Sequence, residues 1–226
     1  MLKVSIAEIF ESVQGEASQA GTPALFIRLA GCNFWNGHQL SRKDGYGDCA
    51  LWCDTDFRVK INWTIEQVDH KIEEYRSKIK TGMPLVIFTG GEPTIQLFKL
   101  KDLIEKKLEN TLISVETNGS KDCDVLKMLV EHKNGHVVCS PKPYRQDIKK
   151  PKKGVSLKLK RTNDLKIIVK EDSFERIDWN IQYDNLFFQP IDRGNNGVQA
   201  LNNTIRAARE FGARISIQTH KFLGLR

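Results

Sequence analysis

No apolar stretch in these 226 residues approaches the roughly 20 that a membrane-crossing helix needs; the longest, such as Pro84 to Phe88, are strand-sized. The start, Met1-Leu2-Lys3-Val4, enters strand-like sequence with no apolar leader, so a cytoplasmic protein is expected. Internal repeats and linker-like segments are missing too, which leaves a single domain over residues 1–226 as the simplest expectation. Cysteine is scarce and unpaired: five residues, an odd number, argue against a secreted disulfide framework. What is present, 40% hydrophobic and 28% charged residues, suits a globular chain with a sizeable core and excludes disordered and collagen-like classes.

The net charge of +7 is concentrated in one place. Lys142 to Lys170 carries eleven Lys or Arg against two Asp, so the rest of the chain is slightly acidic. The densest part, about 142–163, reads as a basic insertion. It is either a solvated lysine face or a patch for anionic partners; among aromatic residues only Tyr144 interleaves with it, which weakens a nucleic-acid reading.

Strand-like and helix-like segments alternate. Val4–Phe10, Ala24–Leu29, Leu85–Thr89, Leu112–Glu116, His136–Ser140, Leu165–Val169, Asn185–Gln189 and Arg214–Thr219 read as strands. A helix starts after Thr64, where Thr64 and Gln67 have capping-box spacing. Further helices are expected over Ile95–Leu108, Cys123–His132, Ser173–Asn180 and Val198–Phe211. The alternation predicts an α/β fold with a mostly parallel sheet, open or curled toward a barrel. Polar clusters recur just past the strand ends: Thr89-Gly90-Gly91-Glu92-Pro93, Glu116-Thr117-Asn118-Gly119, Ser140-Pro141-Lys142, Gln189-Pro190-Ile191-Asp192 and Gln218-Thr219-His220. In a parallel sheet those ends share one rim, where ligands bind.

Three cysteines, Cys32, Cys49 and Cys53, lie in a loop spanning residues 31–62. Their spacing suits one metal centre. Three thiolates on a four-iron cluster leave one iron open for chemistry; Cys32, His38, Cys49 and Cys53 on zinc would be a closed structural site. Spacing does not decide between them. Cys123 and Cys139 read as small buried groups, and His70 and His132 as solvated helix residues.

Gly31-Cys32-Asn33, Trp52-Cys53-Asp54-Thr55-Asp56-Phe57 and Gly90-Gly91-Glu92-Pro93 together resemble the radical S-adenosylmethionine superfamily. Within it they are similar to the 7-carboxy-7-deazaguanine synthases of deazapurine (queuosine) biosynthesis. Phe10 to Glu16, Phe26-Ile27-Arg28, Glu116 to Gly119, Ser140 to Lys142 and Gln218 to Lys221 extend the likeness from the first strand to the last. One departure stands out. The superfamily's cysteine gaps are three and two residues, whereas these are sixteen and three, and the Ala50–Trp52 path must absorb the extra residue.

The resemblance implies a partial (β/α) barrel and a lyase that contracts the ring of 6-carboxy-5,6,7,8-tetrahydropterin to 7-carboxy-7-deazaguanine with loss of ammonia. It implies a 4Fe-4S cluster on Cys32, Cys49 and Cys53, S-adenosyl-L-methionine on the open iron, and Mg2+ on Thr55. The nucleoside cofactor would meet Trp52, Cys53, Asp54, Gly90, Gly91, Glu92, Glu116, Asn118, Ser140, Pro141, Lys142, Gln189, Pro190, Ile191 and Asp192. The pterin would be held by Val13, Gln14, Gly15, Glu16, Arg28, Thr89, His220 and the carboxylate of Arg226, with Glu16, Arg28, Thr89 and His220 nearest the chemistry. A flavodoxin or ferredoxin as electron donor and a homodimer follow from the same likeness, with no membrane or nucleic-acid partner. Two rivals remain at this point. A glycyl-radical activase would show a short first cysteine gap and no Gln14-Gly15-Glu16; a zinc-stabilised RNA-binding module would use the lysine patch.

Overall fold

The computed structural model describes residues 2–142, 156–170, 180–191 and 197–225. Nine strands form one sheet: β1 (Lys3–Val13), β2 (Pro23–Leu29), β3 (Ile61–Thr64), β4 (Leu85–Gly90), β5 (Leu112–Thr117), β6 (Gly135–Cys139), β7 (Arg161–Val169), β8 (Gln182–Pro190) and β9 (Arg214–Ile215). Their order is β3-β1-β2-β4-β5-β6-β7-β8-β9. From β2 to β9 every neighbouring pair is parallel; β1 runs antiparallel to both β2 and β3. The fold is thus α/β with a mostly parallel sheet that does not close, as expected of a partial barrel.

Alternation along each strand sorts the two faces. Leu25, Ile27 and Leu29 of β2, Val86 and Phe88 of β4, Ile113 and Val115 of β5, and Leu165, Ile167 and Val169 of β7 join the main core. Val68, Ile72 and Tyr75 of α1 (Ile65–Lys78), Leu103 and Ile104 of α2 (Lys101–Lys107), and Leu126 and Leu129 of α3 (Asp124–Glu131) complete it, with Ala207 and Ala208 of α4 (Gly197–Phe211). The intervening strand positions form the opposite face, and there lie Arg28, Thr89, Glu116, Lys166 and Gln189. A bulge at Ala7 adds β1 to this face: Ile6 pairs with Leu29, but Arg28, one residue earlier on β2, pairs with Glu8, two residues on along β1.

Most expected elements form, with shifts that have local causes. Thr64 caps α1 through the full capping box. The stretch Ile95–Leu108 is not one helix: two 3-10 turns, Pro93–Ile95 and Leu97–Leu100, precede α2. Gln96 between them holds φ −121°, and its amide bridges Ser5 and Ala30, tying β1 to β2. The final strand is only Arg214–Ile215, and Thr219–Phe222 turns into a short helix, α5. β3 was not foreseen within the 31–62 loop. The Ser173–Asn180 helix and most of the basic insertion fall outside the described residues. No helix among the described residues is long and apolar enough to cross a membrane.

Candidate active site

A cavity of about 470 Å³ opens on the polar face at the strand ends. Its lining includes Cys32, Cys49, Cys53, Trp52, Asp54 and Thr55 from the loop, Gly90 at the end of β4 and Gly91 after it, Glu116 and Asn118 of β5 and its following turn, Ser140 and Lys142 after β6, and Gln189, Pro190 and Ile191 of β8 and beyond. Val13, Gln14, Glu16, Arg28, Thr89 and His220 line it as well. Asp192 and Arg226 lie outside the described residues.

The loop that carries the thiols winds in two 3-10 segments, Gln39–Asp44 and Asp48–Leu51, and the second takes up the extra residue between Cys49 and Cys53. Trp35, Ala50 and Phe57 form a small core under it, against which Cys32 and Cys53 pack. Arg42 clamps the loop: Nη1 donates to Ala50 O (2.9 Å), Nη2 donates to Cys53 O (2.9 Å), and the guanidinium lies 4.7 Å over Trp35. Gly91 lets the β4 turn press on this loop; a Cβ there would sit 2.3 Å from Gly31 O and 2.7 Å from Cys32 Cβ. Asn118 and Ser120 reach the loop through Asn33 (3.1 and 2.8 Å).

The donor set fits a cluster. Burial pushes Cys32 up to about 11 and Cys49 to about 12; Lys142 draws Cys49 back down, while the neighbouring thiols push it up, as Glu92 and Cys53 do Cys32. Protonated thiols become ligands when a metal displaces the protons. Among the described residues no three His, Cys, Asp or Glu form a group that could hold a metal ion. His38, the fourth ligand of the zinc reading, is exposed and lies outside the cavity lining. Trp52 lines the cavity, and its buried indole N–H has no partner among the described residues, a donor available to a bound group.

The far wall is a network of charged and amide side chains. Glu16 accepts from Lys166, from Gln189 Nε2 (3.1 Å) and from Gln218 Nε2 (2.8 Å). Glu116 accepts from Gln14 Nε2 (2.9 Å) and Thr89 Oγ1 (2.8 Å). Arg28 pairs with Glu8 (2.8 Å) and lies 5.5 Å over Phe10, which stacks on Phe26. Gly15 does not line the cavity but seats α5: Thr219 N donates to Gly15 O (3.0 Å), and a Gly15 Cβ would collide with His220 Nδ1 at 2.0 Å. That contact holds His220 at the rim.

Two expected cofactor contacts do not line the cavity. Pro141 is not in the lining. Glu92 is buried below it, and its carboxylate accepts from Thr94 N and Oγ1 (3.1 and 2.6 Å), Thr117 Oγ1 (2.7 Å) and Asn118 N (2.7 Å), bracing the ends of β4 and β5. Cys139 is buried under Gly119 and Cys123 stands at the start of α3. The lysine patch is not one surface: Lys158 and Lys160 are exposed, whereas Lys142 and Lys166 face the cavity. Lys166 and Glu8 carry no expectation from the sequence, and Gln218 stands there only in a strand-end cluster, without a role. For Lys166 a signal existed, a charged residue inside the apolar run Leu165–Val169.

No family model matches the sequence. The fold matches the crystal structure of QueE from Escherichia coli, with a TM-score of 0.60 over 96% of this chain and 95% of that one, at 22% identity. The 7-carboxy-7-deazaguanine synthase of Bradyrhizobium diazoefficiens is 29% identical over the full length of both chains. That of Rickettsia prowazekii is 30% identical over 99% of this chain and 89% of its own. With identity sustained end to end in its relatives, this chain belongs to the 7-carboxy-7-deazaguanine synthase family.

Proposed function

We propose that this chain catalyses its family's reaction, the ring contraction of 6-carboxy-5,6,7,8-tetrahydropterin to 7-carboxy-7-deazaguanine with loss of ammonia. One observation carries the reading: a single cavity is lined by three thiols of the loop together with Arg28, Glu16, Glu116 and Lys166. When bound, the 4Fe-4S cluster with S-adenosyl-L-methionine supplies one-electron chemistry that protein side chains lack.

The chain's own residues do the rest. Cys32, Cys49 and Cys53 hold the cluster, and Arg42 fixes the backbone beside two of them. Gly90, Gly91, Trp52 and Asn118 border the nucleoside cofactor. The Thr55 hydroxyl, with substrate oxygens, suits Mg2+, a hard cation that prefers oxygen ligands. Arg28, steadied by Glu8 and Phe10, presents a fork to the substrate carboxylate. Gln14, Glu16, Thr89 and Glu116 supply donors and acceptors for the pterin edge, and His220 closes the rim. The Phe10–Phe26 stack gives an apolar wall that limits water. A flavodoxin or ferredoxin is proposed as donor on family grounds. A second copy of the chain is supported by exposed Ile215, Ile217, Phe222 and Leu223 near the carboxyl end.

The test is anaerobic reconstitution followed by incubation with the carboxytetrahydropterin, S-adenosylmethionine, Mg2+ and a reductant. About four irons per chain and formation of the deazaguanine acid are expected. Full iron loading without turnover would sink the substrate assignment; one tightly held zinc and no iron would sink the cluster.

A further inference from the structure

Lys166 occupies an inward position of β7 and is 7% exposed. Its ammonium meets one oxygen of Glu16, while Gln189 of β8 and Gln218 before α5 donate to the other. A carboxylate has about four acceptor sites; three are taken, which leaves one. The other charged or titratable groups facing this pair are Glu116 of β5, Lys142 past β6, Asp54 of the loop and His220 of α5. Burial is the largest influence on Glu16 and acts upward; Lys166, then Gln218 and Gln189, overrule it and hold the carboxyl at about 2. Burial acts downward on Lys166, and Glu16 followed by Glu116 carries it above the ordinary lysine value.

We infer that Lys166 is a positioning residue: it locks Glu16 as a fixed, ionised acceptor for one N–H of the pterin and withdraws Glu16 from the proton transfers of the ring contraction. The inference rests on the pterin reading above. Without the ammonium, a carboxyl this deep takes up a proton, and the oxygen that Lys166 held, the one with a site left, becomes an O–H donor. Glu16 would then present the wrong partner to an N–H edge.

Two readouts separate this from a structural role. The first uses cluster-loaded protein without substrate, in which infrared pH-difference spectra report the protonated-carboxyl band. Wild type is expected to show no Glu16 band at pH values above the ordinary glutamate value of about 4.3. Lys166→Met is expected to show one, absent from the Lys166→Met/Glu16→Gln double variant. The second is affinity for 6-carboxypterin, an oxidised and unreactive pterin, read by its fluorescence with S-adenosylmethionine and Mg2+ present. Lys166→Met should lose about tenfold per pH unit below its raised carboxyl value, relative to the double variant. Lys166→Arg should restore the wild-type profile. Should Lys166→Met fail to fold, Lys166→Gln replaces it.

No new band together with an unchanged pH profile overturns the inference, as does Lys166→Arg behaving like Lys166→Met. Failure of the wild type to bind 6-carboxypterin counts against the substrate reading instead, and the infrared band still decides the role of Lys166.

Discussion

Arg42 offers a measure of how the loop holds its thiols. Its two terminal nitrogens each donate to a carbonyl, one belonging to the residue after Cys49 and one to Cys53 itself. Hydrogen bonds to charged groups contribute about 1.5–3 kcal/mol when well buried. Arg42 is half-buried, so about 1 kcal/mol each is appropriate, and the contact with Trp35 adds about 0.5 kcal/mol. The loss on Arg42→Ala is then about 2.5 kcal/mol, or about 60-fold in the population of the opened loop. The loop has its own small core, so opening is local and leaves the sheet intact. In cluster-loaded protein, iron release to a ferrous chelator should therefore accelerate about 60-fold. The melting temperature of the metal-free chain should fall by less than the ~2–4 °C per kcal/mol that global destabilisation produces. Arg42→Lys, which keeps the charge without the planar fork, should recover only part of the retention. Release at the wild-type rate from Arg42→Ala would refute the reasoning. So would a full global melting shift, because the clamp would then belong to the main core.

Gly91→Ala should cost about 1–3 kcal/mol by overpacking, since the obstructing atoms are the backbone of Gly31 and Cβ of Cys32; calorimetry and iron content should fall together, and a variant with unchanged iron would deny the contact its role. Cys49→Ala should abolish cluster assembly while Cys139→Ala, a position buried under Gly119 that does not line the cavity, keeps its iron; equal loss in both would place the cluster elsewhere. Asp164 is raised by burial, but His136 and then Ser18 outweigh this and leave its carboxyl below the ordinary value. A lowered carboxyl contributes stability that is present above its unfolded value of about 3.9 and lost as pH falls through the folded one. Asp164→Asn should accordingly lose stability at neutral pH and show a flatter acid limb in urea denaturation; an acid limb matching wild type would contradict the pairing.

How much of this was legible beforehand depends on the range of the interaction that decides each feature. The α1 start was readable because Thr64 and Gln67 settle it within four residues. The period-two alternation that places Arg28, Thr89, Glu116 and Gln189 on one face is equally local, and the parallel pairing that gathers them follows from alternating strands and helices. The failures are tertiary. The apolar phase of Leu100, Leu103, Ile104 and Leu108 holds only from α2 onward, because Gln96 leaves helical geometry where its side chain tethers Ser5 and Ala30. Ile215-Ser216-Ile217 alternates like a strand, yet the chain turns at Thr219 because its amide is taken by Gly15, about two hundred positions earlier. Lys166 was hidden for a related reason. A lysine among other lysines reads as part of a solvated patch, and it is Glu16, with Glu116 and Asp54, brought opposite it by the fold, that makes burial of its charge tolerable. Within a basic segment, then, a lysine at an inward strand position marks the site better than the charge density around it: the density describes the surface, and the strand phase locates the cavity.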